Sequence, residues 1–131
     1  MEFLQLFFIL LFGHWLGDFV FQSHWMAQNK SKNNFALFIH TYAYSTTLLF
    51  AFVLGCLTLG IGIDNIFYAS IAFFLITFVT HGVTDYFTSR VTSKLWAAQR
   101  THTFFVMIGF DQLVHFYTII LTMLWSLGGL Y

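Results

Sequence analysis

Four long stretches of the chain are almost wholly apolar, and short polar segments separate them. The stretches lie near residues 3–25, 35–59, 66–90 and 103–127. Each is long enough to cross the hydrocarbon core of a bilayer as a helix, for which about 20 residues suffice. The separating segments are NKSKNN (29–34), GIGIDN (60–65) and SKLWAAQRTH (93–102), all too short to fold on their own. Short connections make successive helices antiparallel neighbours. The pattern predicts an all-α integral membrane protein: an up-down four-helix bundle forming a single domain over residues 1–131.

Composition strengthens this reading. The chain is 59% hydrophobic and 8% charged, whereas a soluble domain carries about 25% charged residues. Net charge is zero and no basic tract exists, so a nucleic-acid partner is not expected. Cys56 is the single cysteine, which excludes an intrachain disulfide framework. The N-terminal run has no basic leader and no small-residue cleavage site, so it is expected to stay as a span.

The charges also set an orientation. Lys30 and Lys32 fall in the first loop, and Arg90, Lys94 and Arg100 fall at the third. The second loop holds only Asp64 and the N-terminus only Glu2. By the positive-inside rule, loops one and three are cytoplasmic and both termini lie outside, in a bacterial inner membrane. Trp25 and Trp96 then sit near the cytoplasmic interface and Trp125 near the outer one, as an aromatic belt requires.

Against this apolar background a few ionisable residues stand out. The first span carries His14 and Asp18, then Gln22. The second carries His40. The third carries His81 and Asp85 (HGVTD), and the fourth Asp111 and His115 (DQLVH). Residues four apart share a helix face, so three helices each aim a His/Asp pair at one line in the bundle. At 1.5 Å per residue, Asp18, Asp85 and Asp111 lie roughly 10–13 Å from the cytoplasmic helix ends. His14, His81 and His115 lie roughly 16–20 Å in, and His40 at ~9 Å. The order in sequence is His-Asp, His-Asp, Asp-His. Because the helices alternate in direction, the acids nonetheless form one layer and the three histidines another.

Such residues need partners. A central Asp costs about 2.5–3.5 kcal/mol even on the lenient insertion scale, and a folded protein has only about 5–15 kcal/mol of margin. Four readings of these residues are open. Interhelical hydrogen bonds would do so, at well under about 1 kcal/mol each on average. A haem needs facing histidines but gives no reason for the acids. A proton or ion path needs relays in the outer half of the bundle, where no ionisable residue appears. A divalent metal site (Zn, Fe or Mn) uses every one of these groups. The favoured reading takes His14, Asp18, His81, Asp85, Asp111 and His115 as metal ligands. His40 is a further ligand or base, and His40 and Asp85 are the candidate catalytic groups. Gln22, Gln112 and Lys30 are expected as supporting hydrogen-bond partners. His24 and His102 are expected to be solvated, and Gly13 and Gly17 to permit close helix packing.

The motifs HWLGDFVFQ…NK, LFIH, THGVTDY and DQLVHF resemble a bacterial and phage membrane family, domain of unknown function 3307. The resemblance spans essentially the whole chain. It implies four helices and marks His14, Asp18, Gln22, Lys30, His40, His81, Asp85, Asp111, Gln112 and His115. Where the family places a basic residue after H-x-x-x-D, this chain has Thr88, with Arg90 nearby. A looser similarity, in the His/Asp pattern alone, is to membrane-bound metal-dependent hydrolases. The expected chemistry is metal-assisted hydrolysis, in which water is acidified and attacks a polarised phosphoryl or carbonyl group. The expected substrate is lipid-like or small and phosphorylated, entering from the cytoplasmic mouth or from the bilayer. The competing class is a non-enzymatic metal or proton carrier, or a phage-encoded protein that binds a membrane partner.

Overall fold

The computed structural model describes residues 2–128. The side chains of Glu2 and of residues 63–65, Asp64 among them, lie outside what is described. Among the described residues the regular elements are all helices. α1 spans Glu2–Trp15 and continues through a π-helical turn, Leu16–Val20. α2 is short, His24–Asn29. α3 spans Asn34–Thr58, α4 Ile63–Ala97 and α5 Thr101–Gly128. Four of these segments are long and apolar enough to cross a membrane: Phe3–Val20, Asn34–Thr58, Ile66–Ala97 and Thr101–Gly128. The chain is a helical membrane protein.

Local chemistry explains where the helices start and stop. The Asn33 side chain accepts from the Phe35 N–H at 2.8 Å and caps α3. α3 ends where Gly60 takes a left-handed conformation (φ 73°). There Ile61 N–H returns to Cys56 O and Gly60 N–H to Leu57 O, both at 3.1 Å, in a Schellman motif. α4 ends in the same motif, with Gln99 (φ 53°) in the position that usually takes glycine. Inside α4, Thr77, Thr80, Thr84 and Thr92 each donate to the carbonyl four residues back. That bond lets a hydroxyl sit in an apolar helix without an orphaned donor.

Two boundaries differ from the sequence expectation. The first span is not one helix over 3–25: it ends at Val20, and Ser23 then caps α2 by accepting from Met26 N–H at 3.2 Å. Serine competes with the helix for its own backbone and favours a cap. α4 extends past residue 90 to Ala97, because TSRVTSKLWA contains no helix breaker.

α1 packs on α3, α3 on α4 and α4 on α5, and α5 returns to α1 more lightly. One half of the interior is apolar: Leu6, Leu10, Leu48, Phe52, Cys56, Phe73, Ile119 and Met123 are buried together. Phe52 and Phe73 stack there, with centroids 4.2 Å apart. The other half buries His14, Asp18, His40, His81, Asp85 and His115. Outward-facing Phe8, Phe50, Phe67, Leu121 and many similar residues remain exposed, which is the surface a lipid tail solvates.

Candidate metal centre

Asp18 is presented by the π-helical turn. Phe21 N–H donates to Leu16 O, five residues back, at 2.8 Å. Such single turns recur at functional positions because the extra residue re-aims a side chain. Gln22 supports the turn: its Nε2 donates to the Asp18 main-chain oxygen at 3.0 Å. Gly17 brings the turn close to α3. A Cβ at that position would lie 3.2 Å from Tyr44 Cα and 3.3 Å from Tyr44 O. This close approach lets Asp18 meet His40.

Four side chains from three segments converge. His40 Nε2 lies 3.2 Å from Asp18 Oδ1 and 3.1 Å from Asp85 Oδ2. His81 Nε2 lies 3.1 Å from His40 Nε2, 3.9 Å from Asp18 Oδ1 and 3.7 Å from Asp85 Oδ2. All four residues are buried, with no more than 4% exposure. A tetrahedral ion held at about 2.0–2.1 Å separates its ligand atoms by about 3.3 Å. The observed separations bracket that value. Two imidazole nitrogens facing each other at 3.1 Å also require that at least one present a lone pair, as a ligand does.

Ring stacking fixes His81 and, beside it, His115. The Tyr44 ring lies on His81 at 3.6 Å and 12°, and His81 lies on His115 at 4.4 Å and 27°. The outer nitrogens, Nδ1 of His40, His81 and His115, have no protein hydrogen-bond partner. For His81 and His115 orientation therefore comes from the stack rather than from hydrogen bonds behind the rings, and His40 is set by the Asp18 and Asp85 oxygens in front of it.

A second group adjoins the first. His115 Nε2 lies 3.2 Å from Asp85 Oδ1 and 3.4 Å from Asp111 Oδ1. Thr88 Oγ1 donates to Asp111 Oδ1 at 2.6 Å. Gln112 Nε2 donates to Asp18 Oδ2 at 3.0 Å and to Asp111 Oδ2 at 3.2 Å. Asp18, Asp111 and His115 each offer one ligand atom within 4.8 Å of the others, as do Asp18, His40, His81 and Asp85.

His14 stands apart from both groups. Its Nδ1 is 3.0 Å from the Tyr44 hydroxyl and its Nε2 is 2.9 Å from Gln112 Oε1. Both ring nitrogens are occupied by protein, so His14 orients Gln112 and through it Asp18. Gln22 holds backbone rather than carboxylate. Lys30 reaches further in than a loop residue need: its Nζ donates to Asp85 Oδ2 at 2.6 Å and lies 3.2 Å from His40 Nε2. Burial alone would lower the pKa of this ammonium, but the Asp85 and Asp18 carboxylates outweigh it and hold the pKa above the ordinary lysine value. Arg90 points elsewhere, to Asn34 Oδ1 at 2.8 Å, with its guanidinium over the Tyr86 ring at 3.7 Å. His24 and His102 are exposed and outside the cluster.

Tyr44 is not singled out by the sequence, and Thr88 enters there only as a departure from the family pattern, with no place in the site. Tyr44 follows His40 by four residues on the same face, a fourth i,i+4 pair hidden because a tyrosine in a span reads as interfacial. Thr88 follows Asp85 by three, but its bond to Asp111 crosses helices and leaves no trace in spacing.

The cluster is reached through a cavity of about 170 Å³ at the end of the bundle that carries the Lys and Arg residues. Asp18, Lys30, Asp85, Thr88, Asp111 and Gln112 line it, whereas His40, His81 and His115 lie behind them. Buried Gln22 Oε1 and Ser89 Oγ, also on its wall, have no protein partner.

A protein-family model matches residues 6–129, and its description is protein of unknown function (DUF3307). No curated protein and no solved structure matches the chain.

Proposed function

The chain belongs to the DUF3307 family, whose description carries no activity, and on its site alone we propose that it is a membrane-embedded divalent-metal protein acting as a hydrolase on a phosphorylated substrate. The observation that carries this is the set of four ligand atoms on Asp18, His40, His81 and Asp85, spaced 3.1–3.9 Å apart where the distances are given above. Two neutral imidazoles and two carboxylates are an ordinary donor set for Zn, Fe or Mn. Charge supports the same reading. Asp18, Asp85 and Asp111 bring three negative charges and Lys30 one positive charge, so one divalent ion brings the sum to zero.

Such an ion would supply Lewis-acid polarisation of a phosphoryl or carbonyl oxygen and make water a competent nucleophile near neutral pH. His40 and Asp85, the groups expected to handle protons, both belong to the four-atom set, and in this reading they hold the ion. Lys30 lines the cavity and would meet the negative charge of a bound phosphate. The Ser89 hydroxyl, which has no protein partner, offers it a hydrogen-bond donor. The cavity is too small for more than a headgroup, so a lipid substrate would leave its chains in the bilayer. The basic residues gathered at this end support a cytoplasmic mouth in a bacterial inner membrane, with both termini outside.

A metal or proton carrier is the alternative. The closed apolar half of the interior, from Leu10 through Phe52 and Phe73 to Met123, speaks against it, because it offers no relay across the membrane. The test is hydrolysis of soluble and lipid phosphomonoesters by detergent-purified protein. Release of phosphate that requires added metal and disappears in His81→Ala is the expected result. A metal-loaded protein inert toward every ester would refute the hydrolase.

A further inference from the structure

Asp85 presents its two oxygens to different neighbours. Oδ2 faces His40, His81 and Lys30, whereas Oδ1 faces His115, at 3.2 Å. Asp18 is divided in the same way: Oδ1 faces His40 and His81, and Oδ2 lies in the hydrogen bond from Gln112. Asp18 is also common to both groups of converging ligand atoms. A carboxylate turned in two directions between two sets of donors is the bridge of a paired-ion site, in which the ions sit about 3.5–4 Å apart.

We infer that the centre holds two inequivalent cations: an inner one on Asp18, His40, His81 and Asp85, and an outer, exchangeable one on Asp111, His115 and the remaining carboxylate oxygens. This rests on the metal reading proposed above and adds the second ion to it.

Three observations support the outer site. His115 Nε2 is buried and directed between two carboxylate oxygens, Asp85 Oδ1 and Asp111 Oδ1, at 3.2 and 3.4 Å. Both Asp111 oxygens are already oriented by donors behind them, Thr88 Oγ1 and Gln112 Nε2. Outer donors of this kind fix ligand orientation and raise affinity 10–100-fold in characterised sites. The Asp111 side chain is also 16% exposed and lines the cavity, whereas Asp85 is 2% exposed and the inner imidazoles lie behind the cavity wall. The inner ion is enclosed, so it exchanges slowly. The outer ion faces the cavity and exchanges quickly. Charge gives the same order: the first divalent ion neutralises the cluster, and the second enters against a balance already restored, which weakens its binding.

The experiment is a Mn²⁺ titration of detergent-purified, metal-stripped protein, read by equilibrium dialysis and electron paramagnetic resonance. Wild type should take two ions per chain, the second at least ten-fold weaker, and the spectrum at saturation should be that of a coupled pair. Asp111→Asn keeps the side-chain volume and should bind one ion, with the inner affinity intact and the coupled signal gone. Thr88→Val leaves every ligand in place and should weaken the second ion alone by roughly ten-fold. One uncoupled ion in wild type, bound identically by Asp111→Asn and Thr88→Val, overturns the second site and leaves the single-ion reading standing. No ion in wild type overturns both. The wild-type stoichiometry and coupling decide the matter even where a variant fails to fold.

Discussion

Lys30→Met isolates the most informative contact in the cluster. The Lys30 ammonium sits 2.6 Å from Asp85 Oδ2 and 3.2 Å from His40 Nε2, on two of the four atoms assigned to the inner ion. An incoming divalent ion must therefore displace it from both. A hydrogen bond to a charged group contributes about 1.5–3 kcal/mol, so removing the competitor should tighten metal binding by about 10- to 150-fold. Without metal the effect reverses. Asp85 is buried and would lose its cationic partner, which costs about 3–5 kcal/mol when one member of a buried pair is removed. The variant should thus be strongly destabilised without metal and restored by it. Lys30 has a raised pKa, so its contribution is fully present below 10.5 and is lost only as pH rises through the still higher folded value. The Lys30 share of the stability gap should therefore stay flat across the neutral range. Competition with a chromogenic chelator gives the affinity, and thermal unfolding in detergent with and without EDTA gives the stability. Weaker metal binding by Lys30→Met, or a metal-free variant as stable as wild type, would refute the reasoning.

Other substitutions separate packing from chemistry. Gly13→Ala would place a Cβ 2.7 Å from Ala51 Cβ, with no flexible side chain to yield; overpacking of this kind costs about 1–3 kcal/mol, read as a lower unfolding temperature. Tyr44→Phe removes the hydroxyl at His14 Nδ1 but keeps the ring stacked on His81. It should cost about 1–3 kcal/mol and leave metal stoichiometry unchanged, whereas Tyr44→Leu should also weaken the inner ion by loosening His81. Arg90→Ala loses two solvent-exposed hydrogen bonds, to Asn34 and to the Tyr86 carbonyl, and the contact with the Tyr86 ring; it should change stability by about 1 kcal/mol and metal affinity not at all.

Much of this arrangement was legible in the sequence because bilayer thickness and helix geometry leave few choices. Twenty-odd apolar residues between short polar loops can only be spans. Alternating direction then aligns His81–Asp85 with Asp111–His115 in space despite their opposite order in sequence. What spacing cannot give is rotamer and backbone detail. The hydropathy pattern predicts a uniform helix through residue 25, but the π-helical turn at Leu16–Val20 re-aims Asp18 and leaves His14 turned to Tyr44 and Gln112. His40 carries no acidic companion on its own helix, so its central place shows only once Asp18 and Asp85 are brought to it from α1 and α4. Lys30 lies in a loop that the charge pattern marks for topology. Only the short helix α2, capped by Ser23, folds it back far enough to reach Asp85.

The most direct test of the central claim is the metal content of the protein purified in detergent and dialysed without chelator. The account requires at least one tightly held Zn, Fe or Mn ion per chain, and its loss in His81→Ala. Protein that carries no metal, takes up none on titration and unfolds at the same temperature with or without EDTA would contradict it.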